Sequence, residues 1–303
     1  MFMLKNIILE NFNIEIIDYQ LLKTIDTLVY SITDIQNNKY IVKFYKKSNA
    51  AIVEKIAQNA IFLSFIKNNT DLEVQAVPKL HFPLVNWENE QRYMVLCNWI
   101  AGEIPKTKDA DFAKKLGELM AKLHLAAELF EEKINVLDID NQLIADVKAK
   151  ILAKTKLSKN QVEKLNIVFE KINNLLIETG KSKADYGLIH SDLHFDNILI
   201  NENKLSPIDF DETAYGHFLT DIAVTFNELE DYKNHKMLKK KYQIGYEKHR
   251  KLPENFVEIY PKFQVVAAAL YLNWFCDEGN EDVRKNEKMK KYGKHVLKKM
   301  LKF

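Results

Sequence analysis

Apolar and polar positions alternate along much of the first hundred residues, a pattern typical of β-strands with one buried face. Residues 12–16 show this alternation, and we interpret them as a half-buried strand. The apolar and aromatic runs at 28–32 and 40–45 enclose the polar segment 34–39, which predicts a hairpin. Residues 50–66 switch to helical spacing. Further strand signals occur at residues 74–80 and 93–99.

Helical spacing dominates after residue 102. Apolar residues recur every three or four positions over 112–125, which predicts a helix. Ser158 and Gln161 form the sequence signature of a capping box, and Gly180 is a natural end for the helix that they open. Further helices are predicted at residues 218–232, 234–249, 254–275 and 283–302.

These patterns predict an α+β fold with two lobes. We expect a small, antiparallel, β-rich N-terminal lobe with one helix over residues 1–98. A larger, mainly helical lobe is expected over residues 99–303. The 303 residues are sufficient for two lobes with a substantial core.

The composition is that of an ordinary globular protein, with 47% hydrophobic and 28% charged residues. A net charge of +2 gives no case for nucleic acid binding. Cys97 and Cys276 are not expected to form a disulfide, which favours a reducing, cytoplasmic location. Lys5 and Glu10 interrupt and end the apolar opening segment, so we expect neither a signal peptide nor a membrane partner.

The segment 188–209, LIHSDLHFDNILINENKLSPID, carries the clearest chemistry in the chain. Asp192 stands five residues before Asn197, and Asp209 follows twelve residues after Asn197. Moving a phosphoryl group from a nucleotide to a hydroxyl requires a carboxylate beside the attacking hydroxyl and hard oxygen ligands for Mg²⁺. The three side chains supply these groups in the order that kinases use them, which predicts a phosphotransferase.

The sequence around these residues strengthens the prediction, because Asp and Asn alone are common turn residues. A short apolar run at 187–189 precedes Asp192. The β-branched run 198–200, the polar turn 201–204 and the returning run 205–208 then predict a hairpin. Such a hairpin carries a potential metal ligand at each of its two open ends.

The motifs HSDLHFDN, IDFD and GHFLTDIA together resemble the aminoglycoside phosphotransferase and choline kinase superfamily, whose members are related to the protein kinases. The resemblance covers most of the chain and is strongest over residues 116–227. It implies a bilobal, protein-kinase-like fold that binds a nucleotide in the cleft between its lobes. ATP is the expected nucleotide, with GTP as an alternative, and Mg²⁺ is the expected metal.

The resemblance assigns a role to each member of the acidic motif. Asp192 is expected to orient the substrate hydroxyl and to accept its proton, while Asn197 and Asp209 hold one or two Mg²⁺ ions. The reaction is then a direct transfer of the γ-phosphoryl group, in which the protein contributes positioning and charge stabilisation.

Other residues of the motifs are interpreted as supports of this loop. His190 is expected to pack beneath the loop, and His194 receives the same structural interpretation. Asp221 resembles the family residue that accepts backbone N–H groups of the catalytic loop. A first-turn aspartate that the helix dipole favours would look the same in the sequence.

The nucleotide-binding residues are expected mainly in the N-terminal lobe. Strand alternation places Ile41 and Lys43 on one face, so that Ile41 can cover an adenine while Lys43 reaches the phosphates. In the family such a lysine is held by a glutamate on the next helix. Glu54 is the only acidic residue between Lys43 and Asp71 and is therefore the candidate. The alternative is that Lys43 is an ordinary surface lysine.

The resemblance also suggests where the adenine lies. Leu96 and Asn98 belong to a strand that resembles the family's interlobe hinge, whose backbone groups bind the adenine edge. Leu199 and Ile208 are expected to form the floor of the base pocket. Ordinary buried strand residues would show the same pattern.

One feature departs from the protein kinases, because the chain has no glycine before Gly102 and therefore no glycine-rich loop over the phosphates. The corresponding turn is expected at residues 22–27. There Lys23 or the hydroxyls of Thr24 and Thr27 are the candidate substitutes.

The phosphoryl acceptor is expected to bind an aromatic and acidic stretch near residue 275. Aromatic rings beside a carboxylate hold amine or ammonium groups, although rings at helical spacing are more often core residues. The candidates are Trp274, Phe275, Asp277 and Glu278, with Asp211 near the metal ligands and Glu228, Glu230 and Asp231 as further acids.

We therefore predict an ATP- and Mg²⁺-dependent kinase of a small-molecule hydroxyl, with an amino alcohol, choline-like compound or aminoglycoside favoured. The alternatives are a homoserine or sugar kinase, a bacterial stress-type Ser/Thr protein kinase and a non-catalytic nucleotide-binding pseudokinase. A monomer and a dimer both remain open. The basic amphipathic segment 285–303 is expected to dock on its own domain, with binding to an anionic membrane as the alternative.

Overall fold

The computed structural model describes residues 2–24, 27–47, 50–230, 232–277 and 281–303, except for the side chains of Phe2 and Asp282. The chain divides into two compact units, Met1–Ala101 and Gly102–Phe303. Each unit has its own secondary structure and core, and the two are described in turn.

The N-terminal unit contains a five-stranded antiparallel sheet with strand order β1-β2-β3-β5-β4. The predicted hairpin is β2 and β3, and the predicted helix is α2, so both predictions are confirmed. The elements of this unit are α1 (Phe2–Phe12), β1 (Ile16–Lys23), β2 (Leu28–Asp34), β3 (Lys39–Lys46), α2 (Ala50–Asn69), β4 (Leu84–Trp87) and β5 (Glu90–Asn98).

Two predictions for this unit are wrong. Residues 12–16 are not a strand, because α1 extends to Phe12 and buries Leu4, Ile8 and Phe12 at four-residue spacing against the sheet. The alternation that suggested a strand is the junction between this helix and β1. Residues 74–80 form no strand either, since their backbone bends so that the Ala76 N–H bonds to the Val74 carbonyl at 2.9 Å.

The two faces of the sheet belong to different cores. Val42, Phe44 and Leu96 lie in one core together with α1, whereas Ile41 and Tyr45 pack with α2 in the other. This division follows from the alternation of side chains along β3 and β5. It sets the face on which each candidate nucleotide-binding side chain lies.

The C-terminal unit is mainly helical and contains a three-stranded sheet, β6-β10-β7, and the hairpin β8-β9. Its elements are α3 (Ala110–Leu129), β6 (Leu137–Asp138), α4 (Asn141–Lys154), α5 (Lys159–Thr179), β7 (Tyr186–Ile189), β8 (Ile198–Asn201), β9 (Lys204–Pro207), β10 (Ala214–His217), α6 (Phe218–Leu229), α7 (His235–Tyr246), α8 (Phe256–Cys276), α9 (Glu281–Lys285) and α10 (Glu287–Met300).

The predicted helices of this unit are confirmed, with two changes. The capping box of Ser158 and Gln161 opens α5, and Gly180 ends it with a φ of 64°. The predicted C-terminal helix is divided into α9 and α10, because the Asn286 side chain caps α10. Helix α4 was not predicted from the sequence.

Helices α3 and α7 cross at two glycines. A Cβ atom on Gly117 would lie 2.0 Å from the Tyr242 carbonyl oxygen, and one on Gly245 would lie 1.9 Å from the Lys114 carbonyl oxygen. No larger residue fits without moving a helix backbone. This close approach sets the position of the side chains at the ends of both helices.

Helix α10 contacts its own unit through small and apolar residues. Gly293 lies against the Phe275 ring, and Val296 and Met300 are buried. The contacts agree with the expected docking of this segment. In the parts of the chain that the structure describes, no helix combines the length and apolarity that a membrane span requires.

The carboxylate of Glu230, at the end of α6, joins four helices. It accepts hydrogen bonds from Lys239 of α7 and Gln264 of α8, both at 2.9 Å, and from Lys299 of α10. The Lys239 ammonium also lies over the Phe226 ring, 5.1 Å from its centroid. Burial would raise the pKa of Glu230, but the three donors outweigh it and lower this pKa to about 2.

We expect this network to make stability depend on pH. The folded-state pKa is below the ordinary value of 4.5, so the stabilisation is complete above that value and is lost as the pH falls toward 2. Glu230→Gln should lower the free energy of unfolding by about 2 kcal/mol at neutral pH, measured by urea denaturation. The difference from the wild type should shrink at pH about 3.

Glu170→Gln, at an exposed position of α5, is the matched control and should change little at either pH. An equal loss in both variants, or a Glu230→Gln effect that does not change with pH, would contradict this account.

Candidate functional site

The loop between β7 and β8 carries Asp192. It leaves the sheet through the buried residues Leu188 and Ile189, and Ser191 has a left-handed backbone with φ of 66°. The His194 N–H then bonds to the Asp192 carbonyl at 2.9 Å, which closes a tight turn. A short 3-10 turn over Phe195–Asn197 leads into β8. The predicted hairpin is confirmed as β8 and β9.

The Asn197 side chain is bound to Asp192 in two ways. Its Nδ2 donates to the Asp192 backbone carbonyl at 2.9 Å and to Asp192 Oδ2 at 3.2 Å. Among the described residues, none donates to Asp192 Oδ1 or to Asn197 Oδ1. One oxygen of each side chain is therefore available, and 46% of the Asp192 side chain is exposed.

His194 is the second side chain beside Asp192. Its Nδ1 accepts the Asp196 N–H at 3.2 Å, and its Nε2 lies 3.5 Å from Asp192 Oδ2. Burial would lower the pKa of His194, but the carboxylates of Asp192, Glu228 and Asp196 outweigh it and raise this pKa. The contact keeps Asp192 Oδ2 occupied from a second direction.

Asp209 lies at the same end of the hairpin as Asn197. The Ile208 N–H bonds to the Asn197 carbonyl at 2.9 Å, and Asp209 follows immediately. Its backbone is left-handed, with φ of 64°, a conformation that Asp tolerates better than most residues. The structure thus brings together the two predicted metal ligands, which are twelve residues apart in sequence.

His190 packs beneath the loop. Its ring centroid is 4.4 Å from that of Phe210, and its Nε2 donates to the Ile208 carbonyl at 3.0 Å. That bond fixes the proton on Nε2 and leaves the buried Nδ1 without a hydrogen-bond partner. These contacts connect the loop to the strand that delivers Asp209.

The Asp221 carboxylate, at the start of α6, holds the loop backbone. Its Oδ2 accepts the His190 N–H at 2.9 Å and its Oδ1 accepts the Ser191 N–H at 2.6 Å. Asp221 is completely buried, and two further buried side chains, His124 and Tyr246, continue this hydrogen-bonded chain. The sequence pattern does not identify these two as neighbours of Asp221, because they come from α3 and α7, far from the motif.

Of the nucleotide-binding candidates in the N-terminal unit, Lys43 is buried and Glu54 is exposed. Lys43 is 5% exposed and lies on the sheet face of Ile41, as strand alternation predicted. Glu54 is exposed, because α2 faces the sheet through Ile52 and Ile56 and Glu54 lies on the other side of the helix. No ion pair between Glu54 and Lys43 occurs in the part of the chain that the structure describes.

The two residues predicted to belong to the adenine-binding hinge, Leu96 and Asn98, are both engaged within the N-terminal unit. Leu96 is buried in the core that contains α1, on the face opposite Ile41. The Asn98 N–H donates to the Ala76 carbonyl at 2.9 Å, so this amide is already used within the unit. Thr24 is exposed, and the rest of the predicted turn includes Ile25 and Asp26, which lie outside the described residues.

Leu199 and Ile208, the predicted floor of the base pocket, are both half-buried on the β8-β9 hairpin. Gly102 approaches this hairpin closely, since a Cβ atom there would lie 2.9 Å from the Ile200 carbonyl oxygen. The Glu103 and Ile200 backbones exchange hydrogen bonds at 3.0 and 2.8 Å.

The predicted substrate residues near 275 make contacts within the C-terminal unit. Phe275 is 8% exposed and contacts Gly293, and Trp274 lies beside Tyr271. The Asp277 carboxylate is 3.3 Å from the Lys150 ammonium. Asp211 is half-buried in the turn after Asp209, whereas Glu278 and Asp231 lie outside the described residues.

The β-rich unit, the helical unit and the Asp–Asn–Asp hairpin together define a kinase-like phosphotransferase. Residues 20–252 match the sequence model of the phosphotransferase enzyme family, APH, so the chain belongs to that family. This membership confirms the resemblance noted in the sequence and the predicted class of enzyme, a phosphotransferase.

A curated relative is the amicoumacin kinase of Bacillus subtilis strain 168, which is 37% identical over 60 residues. The match covers 19% of this chain and 18% of that kinase.

Two solved structures share the fold. An aminopropanol kinase associated with a microcompartment has a TM-score of 0.78 at 17% identity, covering 99% of this chain and 95% of that one. Amicoumacin kinase hAmiN, in complex with AMP-PNP, Ca²⁺ and Ami, has a TM-score of 0.74 at 15% identity, with coverages of 94% and 88%. They confirm the predicted α+β, kinase-like fold.

The carboxylate of Asp221 should be essential for the stability of the loop. Asp221→Asn keeps the shape of the side chain but turns an amide donor toward a backbone N–H, so we expect a loss of about 2 kcal/mol in the free energy of unfolding. Urea denaturation measures this loss. Asp196→Asn, on the exposed side of the same loop, should cost much less, and equal losses would contradict the assignment.

Proposed function

We propose that this protein transfers the γ-phosphoryl group of a nucleoside triphosphate, ATP or alternatively GTP, to a hydroxyl group of a small molecule, with Asp192 as the proton acceptor. The two hydrogen bonds that Asn197 Nδ2 donates, one to the Asp192 backbone carbonyl and one to Asp192 Oδ2, carry this proposal. It holds the carboxylate by one oxygen and directs the other toward an incoming hydroxyl. Membership of the phosphotransferase family supports it.

Asp192 acts by orientation and proton acceptance. With Oδ2 bound to Asn197 and beside His194, Oδ1 accepts a hydrogen bond from the substrate hydroxyl. As the hydroxyl oxygen bonds to the γ-phosphorus, the bond to the leaving nucleotide oxygen breaks and the hydroxyl proton passes to Asp192 Oδ1. Such a positioned carboxylate contributes about 10²- to 10⁴-fold to the rate.

A divalent metal ion, Mg²⁺ in this proposal, fits the residues at the open end of the hairpin. Both bonds of Asn197 Nδ2 go to Asp192, so its Oδ1 is directed away as a neutral ligand, and Asp209 adds a carboxylate. Mg²⁺ is usually held by one or two protein ligands, with phosphate oxygens and water completing its shell. When bound, it neutralises charge on the phosphates. The solved amicoumacin kinase complex contains Ca²⁺ and AMP-PNP.

Lys43 supplies a cation for the phosphates, and Ile41, on the same face of β3, contacts the base. Glu54 is not the partner of Lys43 in this proposal, because it lies on the exposed side of α2. Leu199 and Ile208 remain the proposed floor of the base pocket. The Asn98 amide is not a donor to adenine in this arrangement, since the Ala76 carbonyl accepts it.

An acceptor that carries an amine is favoured over a neutral one. The relatives with the same fold include kinases of aminopropanol and amicoumacin. In this chain, the negative charges of Glu228 and Asp196 help to raise the pKa of His194, which lies beside Asp192. The surroundings of the loop are therefore acidic, which suits an ammonium group. These two acids replace Trp274, Phe275 and Asp277 in the proposed substrate site.

The function can be tested with ADP release by the purified protein in the presence of Mg²⁺. The acceptors are 1-amino-2-propanol, ethanolamine, choline, an aminoglycoside, homoserine, a sugar and a generic protein substrate. We expect turnover with an amine-containing small molecule, and Asp192→Asn should reduce it at least about 100-fold. Glu202→Gln, at an exposed position in the turn between β8 and β9, is the control for general damage near the loop and should reduce kcat far less.

Each acceptor class gives a distinct result. Activity with the sugar or the protein substrate alone would contradict the amine assignment, whereas activity with homoserine alone would indicate an acceptor that carries both an ammonium and a carboxylate group. ATP binding without turnover on any acceptor would indicate a pseudokinase, and Asp192→Asn with normal activity would refute the role of Asp192.

Asp209 is expected to be a metal ligand. Asp209→Asn keeps the side-chain shape but removes a charge, so the Mg²⁺ concentration for half-maximal nucleotide binding should rise about tenfold or more. Titration of ATP-dependent thermal stabilisation with Mg²⁺ measures this shift without an acceptor. Asp211→Asn, two residues further along, is the matched control, and a larger shift in that variant would transfer the metal role to Asp211.

A further inference from the structure

Outside the loop itself, a series of hydrogen-bonded, buried polar side chains leads to the Asp221 carboxylate. Asp221 Oδ2 lies 3.4 Å from His124 Nε2, and His124 Nδ1 is 2.9 Å from the Tyr246 hydroxyl. The Arg250 guanidinium donates to the same hydroxyl at 3.1 Å. These residues come from α6, α3, the end of α7 and the segment after it.

The direction of every hydrogen bond in this series is determined. A guanidinium can only donate, so the Tyr246 oxygen accepts from Arg250. The Asp221 carboxylate can only accept, so the His124 proton is on Nε2, and in a neutral ring Nδ1 then accepts the Tyr246 proton. Burial lowers the pKa of His124 against the opposing effect of Asp221, which agrees with a neutral ring.

The surroundings hold the His124 ring in one orientation. His124 is completely buried and stacks on Phe218, with centroids 4.5 Å apart and an angle of 23° between the planes. The glycine crossing of α3 and α7, at Gly117 and Gly245, fixes the helix that carries His124 against the helix that carries Tyr246. The donor to Asp221 therefore has little freedom to turn away.

We propose that His124 is a positioning residue of the phosphotransfer site, which acts by donating its Nε2 proton to Asp221 and thereby fixing the carboxylate that holds the His190 and Ser191 amides. The second of these amides belongs to the left-handed residue directly before Asp192. A rotation of Asp221 would release that backbone strain and change the direction of Asp192. The inference rests on the proposed function.

Hydrogen exchange of individual amides tests this role without any acceptor. In His124→Phe, which keeps the stack on Phe218 but removes both ring nitrogens, the His190 and Ser191 amides should lose at least about tenfold more protection than the Ile200 amide. His124→Gln, which can donate to Asp221 and accept from Tyr246, should restore most of that protection.

Two further variants separate positioning from ordinary stability. Tyr246→Phe keeps the aromatic packing and frees His124 Nδ1, so it should weaken protection of the same two amides in a protein that still folds. His217→Phe is the matched control, because His217 is also a buried histidine, bonded to Thr179 at 3.1 Å, and no side-chain hydrogen bond or ion pair joins it to Asp221 among the described residues. It should destabilise the protein without a selective effect at the loop.

Kinetics add the functional consequence. With an acceptor that supports turnover, His124→Phe should reduce kcat about tenfold or more and leave the KM for ATP unchanged. Equal loss of protection at His190, Ser191 and Ile200, or the same selective loss in His217→Phe, would overturn the inference. Failure to find an acceptor would affect the proposed function only, since the exchange measurement would still decide this one.

Discussion

The buried carboxylate of Asp221 accepts the backbone N–H groups of His190 and Ser191, and the geometry of the loop that carries Asp192 depends on these two bonds. A buried carboxylate is costly unless it is bonded on all sides, and an isolated loop has no other acceptor for two adjacent amides. The carboxylate therefore supplies the acceptors that the two loop amides need, and the two amides supply donors that the buried carboxylate needs. Removing it would leave both a strained residue and unpaired amides.

Hydrogen bonds within the loop and the hairpin also position the reactive side chains. Asn197 uses its amide nitrogen to hold Asp192 and keeps its amide oxygen available. The β8-β9 hairpin brings Asp209 to the same place through the bond between Ile208 and Asn197. Positioning by short-range hydrogen bonds is what phosphoryl transfer requires of a protein, because little covalent chemistry is needed.

The local features of this site could be predicted from the sequence, and the long-range ones could not. The hairpin and the order of Asp192, Asn197 and Asp209 lie within 22 consecutive residues, 188–209, where strand and turn patterns are readable. By contrast, His124 is 97 residues from Asp221 and 122 residues from Tyr246. Helical spacing from Leu116 and Met120 places His124 on the buried face of α3, but nothing in the local pattern identifies Asp221 or Tyr246 as its partners.

The predicted roles of Glu54 and Phe275 are revised for a common reason, which is the side of the helix on which each residue lies. Glu54 is the only acidic residue between Lys43 and Asp71, but Ile52 and Ile56 face the sheet and turn Glu54 outward. The aromatic neighbours of Phe275 suggest a substrate site, yet helix α8 turns Phe275 toward Gly293. The composition of a segment suggests a ligand, but the buried face of its helix decides which side chains are available.

The position of a metal ion in crystals grown with Mn²⁺ and AMP-PNP, located by anomalous scattering, tests the roles of Asp192, Asn197 and Asp209 most directly. We expect an anomalous peak within coordination distance of Asn197 Oδ1 and an Asp209 carboxylate oxygen, with Asp192 Oδ1 outside the metal shell. A peak bound by Asp192 itself, or well-ordered AMP-PNP with no metal at Asn197 and Asp209, would contradict the proposed division of roles.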